Sequence, residues 1–491
     1  MSAVVAIDAG TTGVRSRVFF DDSTPSFASY REFTQYFPRP GWVEHDPIEI
    51  WDAVVATLAE VCSHIVAIGQ SIAAIGITNQ RETIVAWDRQ SGRPFGRAIV
   101  WQDRRTADRC ASLSAALPLV REQSGLVLDP YFSGSKIEWM MREGGVTRSP
   151  DLAFGTIDSW IVWNLTGGTS FVTDPSNASR TMLFDIRRMT WSDDLCALFD
   201  VPRETLPHVV PSSGRCGTTI GQRGIPAHIP IAGVAGDQQA ALFGQACFQP
   251  GATKNTYGTG SFVLMNVGHA CPEPRHGMLT TVAWDLGSGP PTYALEGAIF
   301  ITGAAIQWLR DGLQIIDHAA AVGPLAESVA DSGGVIVVPA FTGLGSPWWD
   351  PHARGAVFGI TRGTTKAHIA RAVVESMAFQ TRDVVEAMAK ASGVSITELR
   401  VDGGAAVMDL LLQTQANLLN VDVLRPRELE STALGAAFLA GLAEGVWESL
   451  DSVASSWQLE RRFSPIPNGN EDAHYAQWKV GVERSLNWSH T

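Results

Sequence analysis

The stretch Val4-Val5-Ala6-Ile7-Asp8-Ala9-Gly10-Thr11-Thr12-Gly13 decides the fold of this chain. Its four leading apolar residues predict a buried strand, and the glycines and threonines predict a tight turn before a returning strand from Val14 to Phe20. Asp8 ends the first strand, where its carboxylate could hold a phosphate-bound Mg²⁺, because that ion prefers a carboxylate, waters and phosphate oxygens. A strand-end Asp is also a common turn former, so both interpretations stay open at this point.

Two further turns of the same kind follow apolar strands later in the chain, at residues 257–261 and 402–404. Each can present backbone N–H groups to an anion, because glycine permits close approach and threonine adds a hydroxyl donor. One such turn alone is more simply an ordinary tight turn, but three together indicate phosphate binding. The sequence has no GxxxxGK[ST] loop, GxGxxG turn, HExxH or GxSxG motif, which argues against the enzyme classes that depend on them.

Strand and helix patterns alternate along both halves of the chain. Asp46-Pro47 is a helix start, and the apolar residues after it recur at helical spacing: Ile48, Trp51, Val55, Leu58, Cys62 and Ile65. Further strands are predicted at 72–78, 229–234 and 335–339, and further helices at 237–244, 368–392 and 410–419. This alternation predicts an α/β fold, with a boundary near Gln245 that gives domains 1–245 and 246–491.

Length and composition exclude several classes of protein. A chain of 491 residues, 45% hydrophobic and 18% charged, is expected to form two large globular domains with a cleft. The net charge of −13 argues against a general nucleic-acid or acidic-membrane binder. Six cysteines without CxxC pairing predict neither a zinc site nor a disulfide framework, and reduced thiols fit a cytoplasmic protein. Met1 to Asp8 does not resemble a signal peptide, and no integral membrane segment is expected.

Two polar groups are candidates for substrate chemistry. Asp237 follows a second buried strand and could accept a proton from a hydroxyl, although helix capping is the simpler role for an Asp there. Arg81-Glu82 places a fork of donors beside an acceptor, which suits a small polyol, although a surface ion pair is the alternative. Aromatic residues stand close to these polar motifs, but with 16 Trp in the chain most aromatics are expected in the core: Trp101, Tyr131 and Phe262.

Taken together, the motifs resemble the FGGY carbohydrate kinases, of the actin/hexokinase-like ATPase superfamily. One of the stretches that carry the resemblance is Gly76-Ile77-Thr78-Asn79-Gln80-Arg81-Glu82-Thr83. The others lie at residues 8–12, 40–47, 129–134, 177–182, 235–244, 254–260, 343–347 and 402–404, so the resemblance covers nearly the whole chain. Within the family, these stretches are most similar to those of members that phosphorylate glycerol.

The resemblance implies two actin-like (ribonuclease H-like) ATPase domains around a central cleft. It implies ATP-dependent conversion of glycerol to sn-glycerol 3-phosphate, the first step of glycerol catabolism, by a homodimer or homotetramer. Asp237 would be the general base, and Asp8 would organise Mg²⁺. The positions implied for glycerol are Arg81, Glu82, Trp101, Tyr131, Asp237, Gln238 and Phe262. Those implied for ATP are Thr11, Thr12, Gly13, Arg15, Thr259, Gly303, Gln307, Gly404 and Met408.

Some positions depart from the family pattern. Met408 stands where an Asn usually contacts the nucleotide, which puts ATP affinity or adenine selectivity in question. Ala9 stands where a Gln is usual beside the phosphate turn, and no effect is predicted from this change. His228 takes the place of an Arg in a loop where some relatives bind fructose 1,6-bisphosphate, and this predicts weak or absent inhibition, because neutral imidazole is a poor substitute for a forked guanidinium. The phosphorylated His that controls other relatives is missing near residues 212–217.

Three other functions remain as alternatives. The nearest is a kinase for another small polyol or ketose, which shares the fold and the catalytic Asp, but Arg81-Glu82 with Trp101 favours glycerol. A non-catalytic sensor is suggested only by Met408 and Ala9. An actin-like or chaperone-like ATPase without a small substrate would have no use for the predicted polyol residues.

Overall fold

The computed structural model describes residues 2–20, 26–273, 275–466 and 469–489, so Met1 of the N-terminal sequence considered above lies outside the described residues. The strands in chain order are β1 (Ser2–Ala9), β2 (Gly13–Phe20), β3 (Ala28–Glu32), β4 (Glu44–His45), β5 (Ser71–Asn79), β6 (Ile84–Asp88), β7 (Ala98–Ile99), β8 (Leu152–Thr156), β9 (Val172–Thr173), β10 (Phe184–Asp185), β11 (Thr190–Trp191), β12 (His208–Val209), β13 (Ser213–Gln222), β14 (Ile225–Gly236), β15 (Ala252–Tyr257), β16 (Ser261–Gly268), β17 (Leu279–Trp284), β18 (Thr292–Ile299), β19 (Ile336–Val338), β20 (Ala356–Phe358), β21 (Glu398–Asp402), β22 (Val423–Pro426) and β23 (Leu459–Phe463).

The α-helices in chain order are α1 (Pro47–Ala67), α2 (Ala107–Ser112), α3 (Leu117–Ser124), α4 (Ser133–Arg142), α5 (Ile157–Leu165), α6 (Pro175–Ala178), α7 (Asp193–Leu198), α8 (Asp237–Gly244), α9 (Gly303–Gln307), α10 (Val322–Glu327), α11 (Lys366–Ser392), α12 (Asp409–Leu419), α13 (Ser431–Ala443), α14 (Leu450–Ser456) and α15 (Glu471–Ser485). Helices cover sheets in both halves of the chain, so the predicted α/β class is confirmed.

The first half of the chain builds a six-stranded sheet in the order β13-β14-β5-β1-β2-β3. The predicted hairpin is confirmed, since β1 and β2 pair antiparallel on either side of the glycine-threonine turn. Strand β1 also pairs in parallel with β5, and β5 with β14. Three parallel strands therefore end at the same edge of this sheet.

Helix α1 confirms the predicted start at Asp46, whose side chain accepts a hydrogen bond from the Ile48 amide at 2.8 Å. The prediction is wrong for one residue of the apolar stripe, because Ile48 lies beside this exposed cap and is 44% exposed. The rest of the stripe, from Trp51 to Ile65, packs in the core of the first sheet. Among the described residues α1 is also the one helix long and apolar enough to cross a membrane by length and composition, and here it is a core helix.

The second half builds a seven-stranded sheet in the order β17-β18-β16-β15-β21-β22-β23. Strands β15 and β16 form an antiparallel hairpin around the second glycine-threonine turn. Strand β15 pairs in parallel with β21, so this turn and the Asp402-Gly403-Gly404 turn leave the sheet side by side. The strand and the two helices predicted in this half are confirmed as β19, α11 and α12, with ends that differ by one or two residues.

Helix α13 belongs to the second half of the chain but packs on the first sheet and on α8. Small residues permit this close approach: a Cβ on Gly435 would lie 1.8 Å from the carbonyl oxygen of Ala240, and one on Gly76 would lie 2.1 Å from that of Ala436. Ser431 at the start of α13 donates to Asp402 of β21, so the helix contacts both sheets. The six-stranded sheet uses residues before Gln245 and the seven-stranded sheet residues after it, while the domain division itself stays a prediction.

Candidate active site

Three candidate polar residues leave neighbouring parallel strands at one edge of the first sheet. Asp8 of β1 is in register with Thr78 of β5, and Gly236 of β14 is in register with Asn79 of β5. Arg81 lies two residues beyond the end of β5, and Asp237 follows β14 directly. The carboxyl ends of parallel strands are where open α/β sheets place their ligands. Residues that are distant in sequence are therefore brought to one place by the strand order.

Arg81 lies at the centre of this site and is 2% exposed. Its Nε lies 3.1 Å from Asp237 Oδ1, and Nη1 donates to Gln239 Oε1 at 3.2 Å and to Glu296. Nη2 donates to Glu296 Oε1 at 3.1 Å and to the Tyr131 hydroxyl at 3.3 Å. Both NH₂ groups of the guanidinium thus donate to protein acceptors, and Nε is ion-paired with Asp237. The surface ion pair considered as the alternative for Arg81-Glu82 is excluded by this burial.

Two arginines and two glutamates form a buried network around this centre. Arg180 Nε donates to Glu82 Oε1 at 2.7 Å, and Arg180 Nη2 donates to Glu296 Oε1 at 2.9 Å. Burial alone would raise the pKa of Glu296, but the charges of Arg180 and Arg81 outweigh it and hold the pKa at about 2. The two positive and two negative charges cancel, which buried ions require.

Glu82 combines strain with a free acceptor. Its backbone φ is 61°, in the left-handed region that non-glycine residues rarely occupy, and such strain is concentrated at functional sites. One carboxylate oxygen, Oε1, is bonded to Arg180, whereas Oε2 accepts no hydrogen bond from the residues that the structure describes. Burial raises the pKa of Glu82, and the charges of Arg81 and Arg180 oppose that rise. Oε2 is therefore available to a ligand hydroxyl.

Asp237 is the first residue of α8 and its side chain is 30% exposed. Its Oδ1 accepts from the Gln238 amide at 2.7 Å and faces Arg81 Nε, while Oδ2 has no partner in the described part of the chain. Burial raises the pKa of Asp237, and the Arg81 and Lys254 charges limit the rise. A carboxylate with one fixed oxygen and one unoccupied oxygen can accept a proton from a hydroxyl beside it.

Aromatic rings from both halves of the chain enclose these polar groups. The Trp101 and Tyr131 rings meet edge to face at 5.6 Å, and the indole Nε1 of Trp101 donates to Thr11 Oγ1 at 3.0 Å. Phe262 comes from β16 of the second sheet, and the Arg81 guanidinium lies 5.9 Å from its ring centroid. Apolar rings and polar groups therefore lie side by side, a combination that suits a short polyol.

Gln238, the remaining residue predicted to contact glycerol, lies beside Asp237 on α8 and is 9% exposed. Its Oε1 accepts a hydrogen bond from the ammonium group of Lys254 on β15. Lys254 also donates to Thr256 Oγ1 at 2.8 Å and is fully buried. A buried cation on a strand of the second sheet therefore contacts this side of the site.

Asp8 is a carboxylate whose surroundings favour a bound cation. Burial, followed by the negative charges of Asp237 and Glu430, raises its pKa to about 7, and the Arg15 charge opposes this only partly. No described residue donates a hydrogen bond to the Asp8 carboxylate. The described residues hold no group of three or more His, Cys, Asp or Glu side chains placed for a metal ion. One carboxylate therefore fits Mg²⁺ that is held mainly by phosphate and water.

The predicted phosphate turn lies directly beyond Asp8. Gly13 cannot carry a side chain, because a Cβ there would lie 2.5 Å from the Arg31 carbonyl oxygen. Thr12 Oγ1 is 3.4 Å from the Tyr30 hydroxyl, and Gln35 Nε2 donates to the Thr11 carbonyl oxygen at 2.6 Å. These contacts fix the backbone of the turn. Arg15, also predicted to contact phosphate, is partly exposed and pairs with Glu430 in the segment before α13.

The turns predicted to hold the nucleotide assemble at the matching edge of the second sheet. The Gly303 amide donates to the Gly258 carbonyl at 2.9 Å, and the carbonyl of Thr259 accepts from Ala304 at 3.0 Å. Gly403 has a φ of 85° and passes close to Tyr257. Three members of the predicted set lie near these turns, with Gly404 and Gln307 exposed and Met408 partly buried beside α10.

Four residues that hold the site in place have no role predicted from the sequence: Gln239, Arg180, Glu296 and Lys254. Arg180 and Lys254 lie within stretches that carried the family resemblance, but no role was assigned to them. A usable signal existed for Glu296, because it is the one acid in the buried strand Thr292–Ile299. A charge at such a position requires a buried partner.

Comparisons with known proteins agree with this arrangement along the whole chain. Residues 3–244 match the N-terminal domain of the FGGY family of carbohydrate kinases, and residues 253–444 match its C-terminal domain. The chain is 53% identical to Glycerol kinase 2 of Thermotoga maritima over 495 residues, 99% of each chain, and 53% identical to the glycerol kinase of Dechloromonas aromatica over 493 residues, 99% of this chain and 98% of that one. The crystal structure of Plasmodium falciparum glycerol kinase with ADP superimposes with a TM-score of 0.94 at 33% identity, covering 99% of this chain and 98% of that one.

Proposed function

This chain belongs to the FGGY family of carbohydrate kinases, and we propose on that basis that it transfers the γ-phosphoryl group of ATP to glycerol with Asp237 as general base. The observation that carries the proposal is the Arg81 guanidinium, which is held between Asp237 and Glu296 beside the rings of Tyr131 and Phe262. Relatives named glycerol kinase at 53% identity over the full chain support the substrate. The product is sn-glycerol 3-phosphate, so the enzyme begins glycerol catabolism.

Glycerol binds between the polar and apolar walls of the pocket. Glu82 Oε2 and Asp237 Oδ2 accept from its hydroxyls, while Tyr131 and Gln238 offer donors on the other side. Trp101 and Phe262 cover the carbon chain. A polyol that finds both acceptors and donors in a small buried pocket is held in one orientation, which places one terminal hydroxyl at Asp237.

The γ-phosphoryl group then passes directly to glycerol, without a covalent bond to the protein. As the terminal hydroxyl oxygen bonds to the γ-phosphorus, its proton passes to Asp237 Oδ2. The bond from the γ-phosphorus to the bridging oxygen breaks, and its electron pair stays on ADP. Asp237 later gives the proton to solvent. Catalysis of this kind depends mainly on in-line positioning and on stabilisation of charge on the transferring group.

The nucleotide occupies the cleft edge formed by the glycine-threonine turns. When bound, Mg²⁺ neutralises phosphate charge, and Asp8 is the carboxylate that holds it. Backbone N–H groups of the first turn and the exposed Thr259 face the phosphates. Gly404 and Gln307 lie along the rest of the nucleotide, and Met408 supplies only an apolar surface where a polar contact is usual.

A cytoplasmic location and assembly as a homodimer or homotetramer belong to the same proposal. The six cysteines are free thiols in the structure, which fits a reducing compartment. Light scattering of the purified protein tests the assembly. A monomer at all concentrations would contradict that part of the proposal without affecting the chemistry.

The proposal is tested by ADP release from Mg²⁺-ATP with glycerol, dihydroxyacetone, erythritol, xylulose and ribulose offered in parallel. We expect the highest kcat/KM with glycerol and loss of that turnover in Asp237→Asn. A higher kcat/KM for a ketose would keep the fold and the base but overturn the substrate. No turnover with any of the five would favour the sensor instead.

A further inference from the structure

We infer that Lys254 is a positioning residue that fixes the amide of Gln238 with its NH₂ group toward the glycerol pocket, so that Gln238 donates to a substrate hydroxyl. The inference rests on the proposed function, because it assumes that Gln238 contacts glycerol. It adds a residue from the second half of the chain to the substrate site, since Lys254 lies on β15 and Gln238 on α8.

The direction of the amide follows from the chemistry of lysine. An ammonium group has three N–H donors and no acceptor, so the atom it contacts must be the amide oxygen. Lys254 donates to Gln238 Oε1 and to Thr256 Oγ1 at 2.8 Å. The two ends of a Gln amide are ordinarily assigned only from their partners, and here the partner permits one assignment.

The other end of the amide is free to meet a ligand. Gln238 Nε2 donates to no residue in the described part of the chain, and it is not among the fully buried side-chain atoms that lack a partner. It therefore keeps some accessible surface, and its neighbour on α8 is Asp237. Because both NH₂ groups of Arg81 already donate to protein acceptors and its Nε is ion-paired with Asp237, the Gln238 NH₂ group is the donor beside Asp237 that has no partner among the described residues.

The charge needed for this role is retained at neutral pH. Burial lowers the pKa of Lys254 to about 8, and the carboxylates of Asp402 and Asp237 oppose that fall. Lys254 is fully buried, so its ammonium cannot exchange its partners for water, and the contact to Gln238 is maintained before glycerol arrives. A donor that is oriented in advance binds its ligand without losing further side-chain freedom.

The donor claim is tested by Gln238→Glu in steady-state kinetics with saturating Mg²⁺-ATP. The new carboxylate keeps an oxygen that can accept from Lys254, and the positive charge of Lys254 keeps this carboxylate ionised. An ionised carboxylate has two acceptor oxygens and no donor. We expect the KM for glycerol to rise about tenfold, as in Gln238→Ala, because one hydrogen bond is lost in both. An unchanged KM in Gln238→Glu beside a raised KM in Gln238→Ala would show that Gln238 accepts, and would overturn the inference.

The role of Lys254 is tested by Lys254→Met alone and combined with Gln238→Ala. The single variant should raise the KM for glycerol about tenfold, and the double variant should be no worse than Gln238→Ala, because Lys254 acts through the amide. Thr256→Val is the matched control, since it removes the other acceptor of Lys254, and its KM should stay within about twofold. Multiplied effects in the double variant would overturn the role of Lys254.

Failure of the proposed function has a different signature. The proposed function fails if the wild type releases no ADP in response to glycerol. If the wild type turns over glycerol and Gln238→Ala leaves the KM unchanged, then Gln238 does not contact glycerol, and the inference fails while the proposed function stands. If Lys254→Met does not fold, which circular dichroism shows, the Gln238→Glu result still decides the donor claim.

Discussion

Glu296 is the residue whose replacement most directly probes how the site is held in place, and Glu296→Gln is the variant we would make. The substitution keeps the shape and one acceptor oxygen but removes a buried negative charge that lies against Arg81 and Arg180. The pKa of Glu296 is about 2 against 4.5 for an ordinary glutamate, and a tenfold change in an ionisation constant corresponds to about 1.4 kcal/mol. The ionised carboxylate therefore contributes about 3 kcal/mol to native stability at neutral pH.

The sign of the pH dependence follows from the depressed pKa. The stabilisation is fully present above about pH 4.5 and is lost as the pH falls toward 2. We therefore expect Glu296→Gln to lower the free energy of unfolding by about 3 kcal/mol throughout the range from pH 6 to 8. Breaking one side of a buried ionic network typically costs about 3–5 kcal/mol, which agrees with this magnitude.

The assay is urea denaturation of wild type and variant, followed by tryptophan fluorescence and circular dichroism in parallel. The matched control is Glu273→Gln, the same substitution in a partly exposed pair with Arg187 at 2.8 Å, where the side chains of Arg187 and Glu273 are 35% and 58% exposed. Exposed pairs contribute about 0–1 kcal/mol, so the control should lose little. If Glu296→Gln costs no more than Glu273→Gln, the buried network does not stabilise the site and the reasoning is refuted.

Four further predictions concern the reaction and its ligands. Asp237→Asn should lower kcat by about 10²–10⁴-fold with a smaller change in the KM for glycerol. Steady-state kinetics that show full activity in this variant would exclude Asp237 as the general base. The pKa of Asp8 is about 7, so its carboxyl is mostly protonated at pH 6 and must lose that proton when it binds Mg²⁺. Calorimetry in two buffers should therefore show that wild type releases nearly one proton more than Asp8→Asn on binding Mg²⁺-ADP at pH 6, and the same number as Asp8→Asn at pH 8.5. Equal proton release by the two proteins at pH 6 would exclude Asp8 as the Mg²⁺ ligand. Met408→Asn should lower the KM for ATP, and an unchanged value would mean that the missing polar contact is compensated. Fructose 1,6-bisphosphate at millimolar concentration should inhibit weakly or not at all, whereas a clear inhibition curve for wild type would show that His228 does not weaken the loop.

The fold could be predicted from the sequence because its signals are local. The hairpin of β1 and β2 follows from four apolar residues before a glycine-threonine turn, and the start of α1 follows from Asp46 and Pro47. Ile48 shows the limit of such patterns, since helical spacing does not reveal where the sheet beneath the helix ends and the solvent begins. Helix α13 shows another limit, because its packing on the sheet of the first half depends on contacts between distant residues.

The candidate site was predictable only in part for a similar reason. Arg81, Glu82 and Asp237 stand in recognisable motifs at strand ends, so their types and positions indicate chemistry. Glu296 and Lys254 lie on strands of the second sheet and have no motif of their own. Their roles depend on which distant side chain each one meets, and only the three-dimensional structure shows those contacts.

The central claim is that the pocket holds glycerol in one orientation with a single terminal hydroxyl at Asp237. The measurement that tests it most directly is the stereochemistry of the product, obtained by treating phosphorylated glycerol with a dehydrogenase specific for sn-glycerol 3-phosphate. Complete oxidation of the product is the predicted result. A remainder of about half that resists oxidation, which would mean that either end of glycerol reaches the base, or no phosphorylated glycerol at all, would contradict the account.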